Sequence, residues 1–455
     1  MPIVNPHVVL RLGSHAEKDY FLKTISLWDG LMVGANLLES APGATSSMVF
    51  KYAGMRHKIP YYIDPMTYAF GSYTERGSSE SRFDLDWIKS DQKNKKTNSV
   101  ERRFKRSYRV LAETLGGVVL RALETDNGIS TDLIDRPEDI DQLCEAVVQY
   151  QRSRIKNEFE KDSEYVDAAN RVPGPAAVFA PYFYIDPSRF DAGLALFTAC
   201  ASVAASLKST EPVHAILCTD VSILDSEESL SKAAESIKTS GVDGVWLWFS
   251  RFYEDTDLTP RLMRFRYFVE ELSETVMVNN LHGGMFSLAM SRFGLSGTSH
   301  GVGYGEQKDV IPVIGQSTPT VRYYLPDLGR RLSVPQIQRA LIGVDVVTAE
   351  QFFEKVCGCV ICRRIIGEDL NGFSSFGDLH YATEESRRKA QTPVAAKRCR
   401  FHYLLNRARE RDKFRDWDLV TIAEFFKNAY LKWQKQPTLS GDAQHLKSWT
   451  QIFRI

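Results

Sequence analysis

Three cysteines fall within six positions, in the run Cys357-Gly-Cys359-Val-Ile-Cys362. Thiolates at this spacing can wrap one tetrahedral ion within a turn of chain, and zinc is the ordinary occupant of so sulfur-rich a site. Cysteine is also a common small buried residue, but three in a C-x-C-x-x-C array favour metal. A fourth ligand must come from farther along. His402, in RCRFHYLLNRARE at the head of an expected helix, is the leading candidate, with His380 and Cys399 as rivals. Three sulfurs and an imidazole fill a tetrahedron and leave no position for water. The expected ion is therefore a structural zinc that staples the C-terminal segment to the rest of the chain.

Asp64 and Asp186 each end a short apolar run and precede a proline. Asp-Pro commonly starts a turn, yet carboxylates at strand ends also stand where barrel active sites are built, so both readings stay open. The runs that would position them are KIPYYIDP (58–65), AAVFAPYFYID (176–186), VHAILCTD (213–220), GVWLWFS (244–250) and TVMVNNL (275–281). Between them lie stretches such as SLSKAAESIKTSG (229–241), apolar at helical spacing and stopped by a glycine. This alternation predicts a parallel sheet buried on both faces. The number and spacing of runs fit an α/β fold of the (β/α)8-barrel type, and 455 residues with 43% hydrophobic content can bury one such core. The expected division is a segment 1–57 joining the barrel, a barrel over 58–345 with an insertion at about 73–170, and a zinc-binding, helical C-terminal subdomain over 346–455.

Residues 73–107 turn polar and rich in Ser, Lys and Arg, which reads as a long surface loop or insertion, and helical patterns follow at about 108–124 and 138–160. Lys93, Lys95, Lys96, Arg102, Arg103, Lys105 and Arg106 in this insertion could meet phosphates. The basic helix after Cys362 reads first as an amphipathic element packed on the barrel and second as a contact surface for phosphate or an acidic partner. With 57 basic and 57 acidic residues the formal charge is zero, which excludes a uniformly basic nucleic-acid binder but not a local patch. No stretch has the form of a signal peptide or reaches membrane-spanning length, so a cytoplasmic protein without membrane contact is expected. Seven cysteines in a chain of this size do not form a disulfide framework, and reduced thiols are expected.

The cysteine array followed by a histidine on a basic helix resembles the tRNA-guanine transglycosylases over residues 357–409, with a longer gap from Cys362 to His402 than the family pattern. The likeness extends upstream. YYIDPMTYAFG (61–71) resembles the family's T-D-S-G-G-F-Q strand end, FYIDPS (183–188) its F-D-E-C strand end, and SGVDGVWLWFSRF (240–252) its G-F-D-G-Y-A-I-G-G-L strand. The resemblance implies a barrel with Asp64 as general base and Asp186 as reader of the base edge. It also implies a base pocket that draws in Tyr68, Thr219, Trp248, Ser299 and His300.

The departures bear on activity. The family's nucleophile is an aspartate within D-x-x-x-P-T-R; the corresponding stretch here is GLSGTSHGVGYGEQ (294–307), where Ser299 or His300 takes its place. An unactivated serine is a far poorer nucleophile than a carboxylate at neutral pH. Asp327, in YYLPDLGRR, is the alternative nucleophile. Trp248 and Phe249 stand where the family has Gly-Gly, and the pocket glutamine is replaced around Cys218 and Thr219, which reshapes the cavity. The resemblance thus implies first a remodelled, non-exchanging relative that recognises a 7-deazaguanine or a protein partner carrying it. Such relatives occur in bacterial anti-phage defence, type IV CBASS among them, where a nucleotidyltransferase is the candidate partner. The second reading is an active pentosyltransferase that inserts a 7-deazaguanine into DNA or tRNA. The third is a scaffold that keeps only zinc and barrel. Homodimerisation is compatible with each.

Overall fold

A computed structural model of the chain describes residues 6–54, 58–74, 81–82, 85–93, 99–161, 166–207, 210–303, 309–310, 320–381 and 389–454. Its centre is a parallel sheet with eight strand positions. They are β1 (His7–Leu12), β2 (Gly30–Gly34), β3 (Tyr61–Asp64), β4 in two short pieces (Val178–Phe179 and Tyr184–Ile185), β5 (Val213–Asp220), β6 (Gly244–Ser250), β7 (Met277–Asn280) and β8 (Leu295–His300). Neighbours in chain order pair in parallel except β3 and β4, and β8 returns to β1 through the register His7 to Gly297. Every residue of β5 and β6 is buried, as expected where interior side chains fill one face and helices cover the other.

The sheet is nearly closed, and its thin joint lies between β3 and β4. Ala176 N–H donates to the Tyr61 carbonyl at 2.8 Å, and the two strands make no regular ladder. Pro181, which has no N–H to give, falls between the two pieces of β4, so the run read as one strand over 176–186 is interrupted. Two buried side chains take over the work of the missing ladder. The Gln151 amide donates to the Phe179 carbonyl and accepts from the Phe179 N–H, both at 2.8 Å. The Thr67 hydroxyl does the same for Tyr182, donating to its carbonyl and accepting from its N–H, again at 2.8 Å. Gln151→Leu removes both partners of Phe179 and is expected to cost about 2–4 kcal/mol. Urea denaturation would show this as a lowered midpoint at unchanged slope; a shift below about 0.5 kcal/mol would mean the amide does not hold the joint.

The insertion enters after β3. It contains the antiparallel ribbon Lys89–Lys93 with Val100–Phe104 and, as its longer helices, α1 (Arg106–Leu115), α2 (Gly117–Thr125) and α3 (Pro137–Glu160). The single helix expected over 108–124 is broken because Gly116 and Gly117 both take positive φ, 61° and 47°, a conformation glycine enters without steric cost. Barrel helices α4 (Phe190–Ser206), α5 (Glu227–Thr239) and α6 (Thr259–Leu272) follow β4, β5 and β6. The segment 1–57, expected only to join the barrel, supplies its first two strands.

Beyond β8 the chain forms the ribbon Tyr323–Leu325 with Arg330–Leu332. It continues into helices α7 (Val360–Ile366), α8 (Pro393–Asp416), α9 (Leu419–Trp433) and α10 (Gln444–Phe453). This part is anchored on the barrel. Phe453 packs against Phe286 and Phe293 with ring centroids 5.7 and 5.3 Å apart, and the Trp449 indole donates to the Glu254 carbonyl at 2.9 Å. Among the described residues no helix is long and apolar enough to cross a membrane.

Candidate metal centre and barrel mouth

Cys359 is the N-cap of α7, its sulfur accepting from the Cys362 N–H at 3.4 Å. That cap folds the chain so that Cys357, Cys359 and Cys362 converge. Helix α8, started by the Thr392 cap and Pro393, carries His402 to them. His402 Nδ1 lies 3.9, 3.4 and 3.3 Å from the sulfurs of Cys357, Cys359 and Cys362. All four ligand atoms lie within 4.8 Å of one another, and all four residues are buried. A tetrahedral ion with metal–sulfur bonds of about 2.3 Å needs ligand separations near about 3.8 Å, so the cluster could hold one metal ion. Of the rival ligands, His380 sits on an exposed ribbon, and Cys399 directs its sulfur to the Phe376 carbonyl at 3.4 Å; neither belongs to the cluster.

The surroundings orient the set. His402 Nε2 lies 2.6 Å from the Tyr324 carbonyl, which makes it the protonated nitrogen and leaves Nδ1 for an ion. The Tyr323 ring stacks on the imidazole at 4.0 Å, and its hydroxyl lies 3.1 Å from Cys362 Sγ. Hydrogen bonds from the Cys357 and Cys362 thiols hold Cys359 down to about 3, while burial pushes Cys362 up.

At the carboxyl ends of the strands Asp64 is fully buried, and Arg11, on β1, pairs with it at 2.6 Å. The other carboxylate oxygen accepts from the Tyr182 hydroxyl at 2.8 Å and from the Met66 N–H at 2.9 Å. Met66 reaches it by adopting φ 57°, strained for a residue with a side chain. Asp64 therefore stands behind Arg11 as a clamped anion. In front of the pair is a mouth cavity of about 320 Å³ whose wall includes Arg11, Asn36, Tyr68, Trp87, Trp248 and His282. Tyr68 stacks on Trp87 and Tyr182 and meets Trp248 edge-on, at 5.7, 5.5 and 4.9 Å. Burial, ahead of the neighbouring Tyr108 and Asp64, raises the Tyr68 hydroxyl well above its usual range.

The other expected pocket residues do not join Tyr68 and Trp248. Thr219 donates to the Ile185 carbonyl at 2.9 Å, and Ser299 spends its hydroxyl on the Leu281 carbonyl. Asp186 caps the turn 187–189, accepting from Ser188 N–H at 2.8 Å, and lines a separate small cavity of about 30 Å³. Asp327 pairs with Lys432 at 2.7 Å and lines neither of the two larger cavities at the strand ends. His300 belongs to the second of these, about 440 Å³, between the ends of β6, β7 and β8 and the C-terminal subdomain. Burial, and after it the charge of Arg407, lowers the His300 pKa well below the ordinary value, so the ring is neutral. Sequence reasoning passed over Arg11, Asn36, Trp87, His282 and Arg407. Arg11 is the one with a local signal, a lone charge inside the apolar run VVLRL.

The basic residues of the insertion are largely engaged at its surface. Arg103 pairs with Glu101, Arg102 lies 4.0 Å from Asp91, and Lys105 donates to the Trp87 carbonyl at 3.0 Å. Lys93 and Arg106 are exposed; Lys95 and Lys96 lie outside the described residues. No protein-family model matches the chain, and no curated protein matches it.

Proposed function

We propose that this protein binds a planar heterocycle of the 7-deazaguanine kind in its mouth cavity without exchanging it covalently, and that a structural zinc in the Cys3His cluster holds the C-terminal subdomain in place. The observation that carries this reading is the cavity wall. Trp87 and Trp248 offer ring surfaces for stacking with Tyr68 packed against both, while Arg11, Asn36 and His282 offer polar edges within the same 320 Å³. Apolar faces with a few placed polar groups are the usual makings of a small-molecule site.

Spent carboxylates argue against covalent exchange. A nucleophile must reach a sugar carbon with a free lone pair. Asp64 is shared among Arg11, Tyr182 and Met66, and Asp327 pairs with Lys432. The Ser299 hydroxyl already donates to the Leu281 carbonyl. The zinc assignment draws on the ligand types, since three thiolates and an imidazole form the closed set in which zinc carries no water.

Calorimetric titration with 7-deazaguanine tests the reading. The wild type is expected to give a saturable heat. Trp248→Ala is expected to weaken binding about tenfold or more, since stacking of a base on an aromatic ring contributes about 1–3 kcal/mol. A parallel incubation with labelled 7-deazaguanine and tRNA or DNA should leave the nucleic acid unlabelled. Covalent incorporation would favour the exchanging enzyme, and absence of any heat would favour a bare scaffold.

A further inference from the structure

The second cavity has a different character from the first. Its volume is about 440 Å³, and its wall includes three arginines, Arg330, Arg331 and Arg407, together with His300, Glu254 and Asp255. It lies just past the ends of β7 and β8, the region where barrels often seat phosphate groups. Glycines 283, 284 and 329 also line it, which brings bare backbone to the surface of the cavity.

The state of Arg407 points to a ligand. The residue is 1% exposed, and its Nη1 donates to Glu410 at 2.6 Å. Among the described residues its Nε and Nη2 have no hydrogen-bond partner, and neither does Nε2 of His300, a residue 4% exposed. Nε and Nη2 form one edge of the guanidinium, the edge that grips two oxygens of a carboxylate or phosphate at once. A buried charged donor left unbonded is costly, and an oxyanion would supply both missing bonds. Arg331, half-buried with its guanidinium 3.8 Å from the centre of the Tyr403 ring, adds a second cation to the wall.

Among the described residues the wall's own acids leave the Nε–Nη2 edge of Arg407 and Nε2 of His300 unbonded. Asp255 and Asp442 take Arg330, at 2.7 and 2.8 Å. Glu410 holds only Nη1 of Arg407 and accepts from the Tyr324 hydroxyl at 2.6 Å. Glu254 accepts from the Gly284 N–H at 2.9 Å and from the Ser287 hydroxyl; it is a negative charge that a ligand must outweigh. We infer that this cavity is an oxyanion site in which Arg407, Arg331 and His300 receive a phosphate group. Phosphate suits it better than a carboxylate because its several acceptor oxygens can meet three donors from different directions at once.

The test titrates inorganic phosphate into the full-length, metal-loaded protein at constant ionic strength, followed by 31P NMR and calorimetry, with no heterocycle present. Saturable binding is expected, weakened about tenfold or more in Arg331→Gln, a half-buried position whose change leaves the core intact. Arg407→Lys keeps the charge but loses the two-point edge, and is expected to weaken phosphate by a similar factor while thermal melting stays near wild type. Ribose 5-phosphate, an ester without a base, in place of phosphate separates the sources. Tighter binding identifies a phosphate ester as the ligand and equal binding the free ion, and both support the site. Heat that does not saturate, or an affinity unchanged by Arg331→Gln, overturns the inference. Because these titrations omit the heterocycle, either proposal can fail while the other stands.

Discussion

Cys362→Ser is expected to empty the metal centre and loosen the C-terminal subdomain from the barrel. Wild-type protein should carry about one zinc per chain by elemental analysis, and the variant less than about a tenth of that, because a closed four-ligand site loses most of its affinity with one thiolate. The loss reaches past the cluster through α8. The helix that offers His402 also presents Tyr403 to His300 at 3.4 Å, Glu410 to Tyr324 at 2.6 Å and Arg411 to Asp29 at 3.0 Å. Without the ion three cysteines are left buried around the His402 ring, whose polar contacts are then the Tyr324 carbonyl at 2.6 Å and the Asn406 amide at 3.1 Å. A drop in melting temperature of about 10 °C or more is expected, corresponding to several kcal/mol in a chain of this size. Chelation of the wild type should reproduce the loss, and added zinc should reverse it there but not in the variant. A metal-free wild type with an unaltered melting curve would remove the staple.

Arg11→Met carries the second large effect. It leaves the Asp64 carboxylate fully buried with a hydroxyl and one amide for company, and breaking a buried pair from one side costs about 3–5 kcal/mol. Asp64→Leu alone should cost a comparable amount by stranding the guanidinium. The double variant Arg11→Met with Asp64→Leu should recover most of the loss, because two apolar groups of similar volume replace two charges. Denaturant titration of the four proteins closes the cycle. Single losses that simply add in the double variant would mean the two charges act independently.

Some of this was legible in the residues. The cysteine array announced itself because metal ligation is local chemistry, three donors within one turn of chain. His402 needed only the phase of the helix that carries it. β5 and β6 were readable as unbroken apolar runs, since a strand covered on both faces has no polar side to show. β1 was not, because Arg11 interrupts its apolar run, and the partner that makes the charge tolerable lies 53 positions away. β8, LSGTSH, has almost no apolar residues to read; its place follows from its hydrogen-bonding neighbours on both sides. The second cavity was hidden for a similar reason. His300 and Arg407 come from a strand end and a distant helix, and nothing short-range in either stretch marks them as neighbours.

The return of β8 to β1 also governs how the molecule can be made. β1 waits for a partner whose codons lie 290 positions later, and at about 5–20 residues per second that is roughly 15–60 s of synthesis with one strand edge bare. Fragments that stop short of β8 keep that edge permanently, as an invitation to pair with other nascent chains. Truncated expression products are therefore expected in inclusion bodies, and chaperone co-expression should raise the yield of the intact chain more than lowering its rate of transcription does.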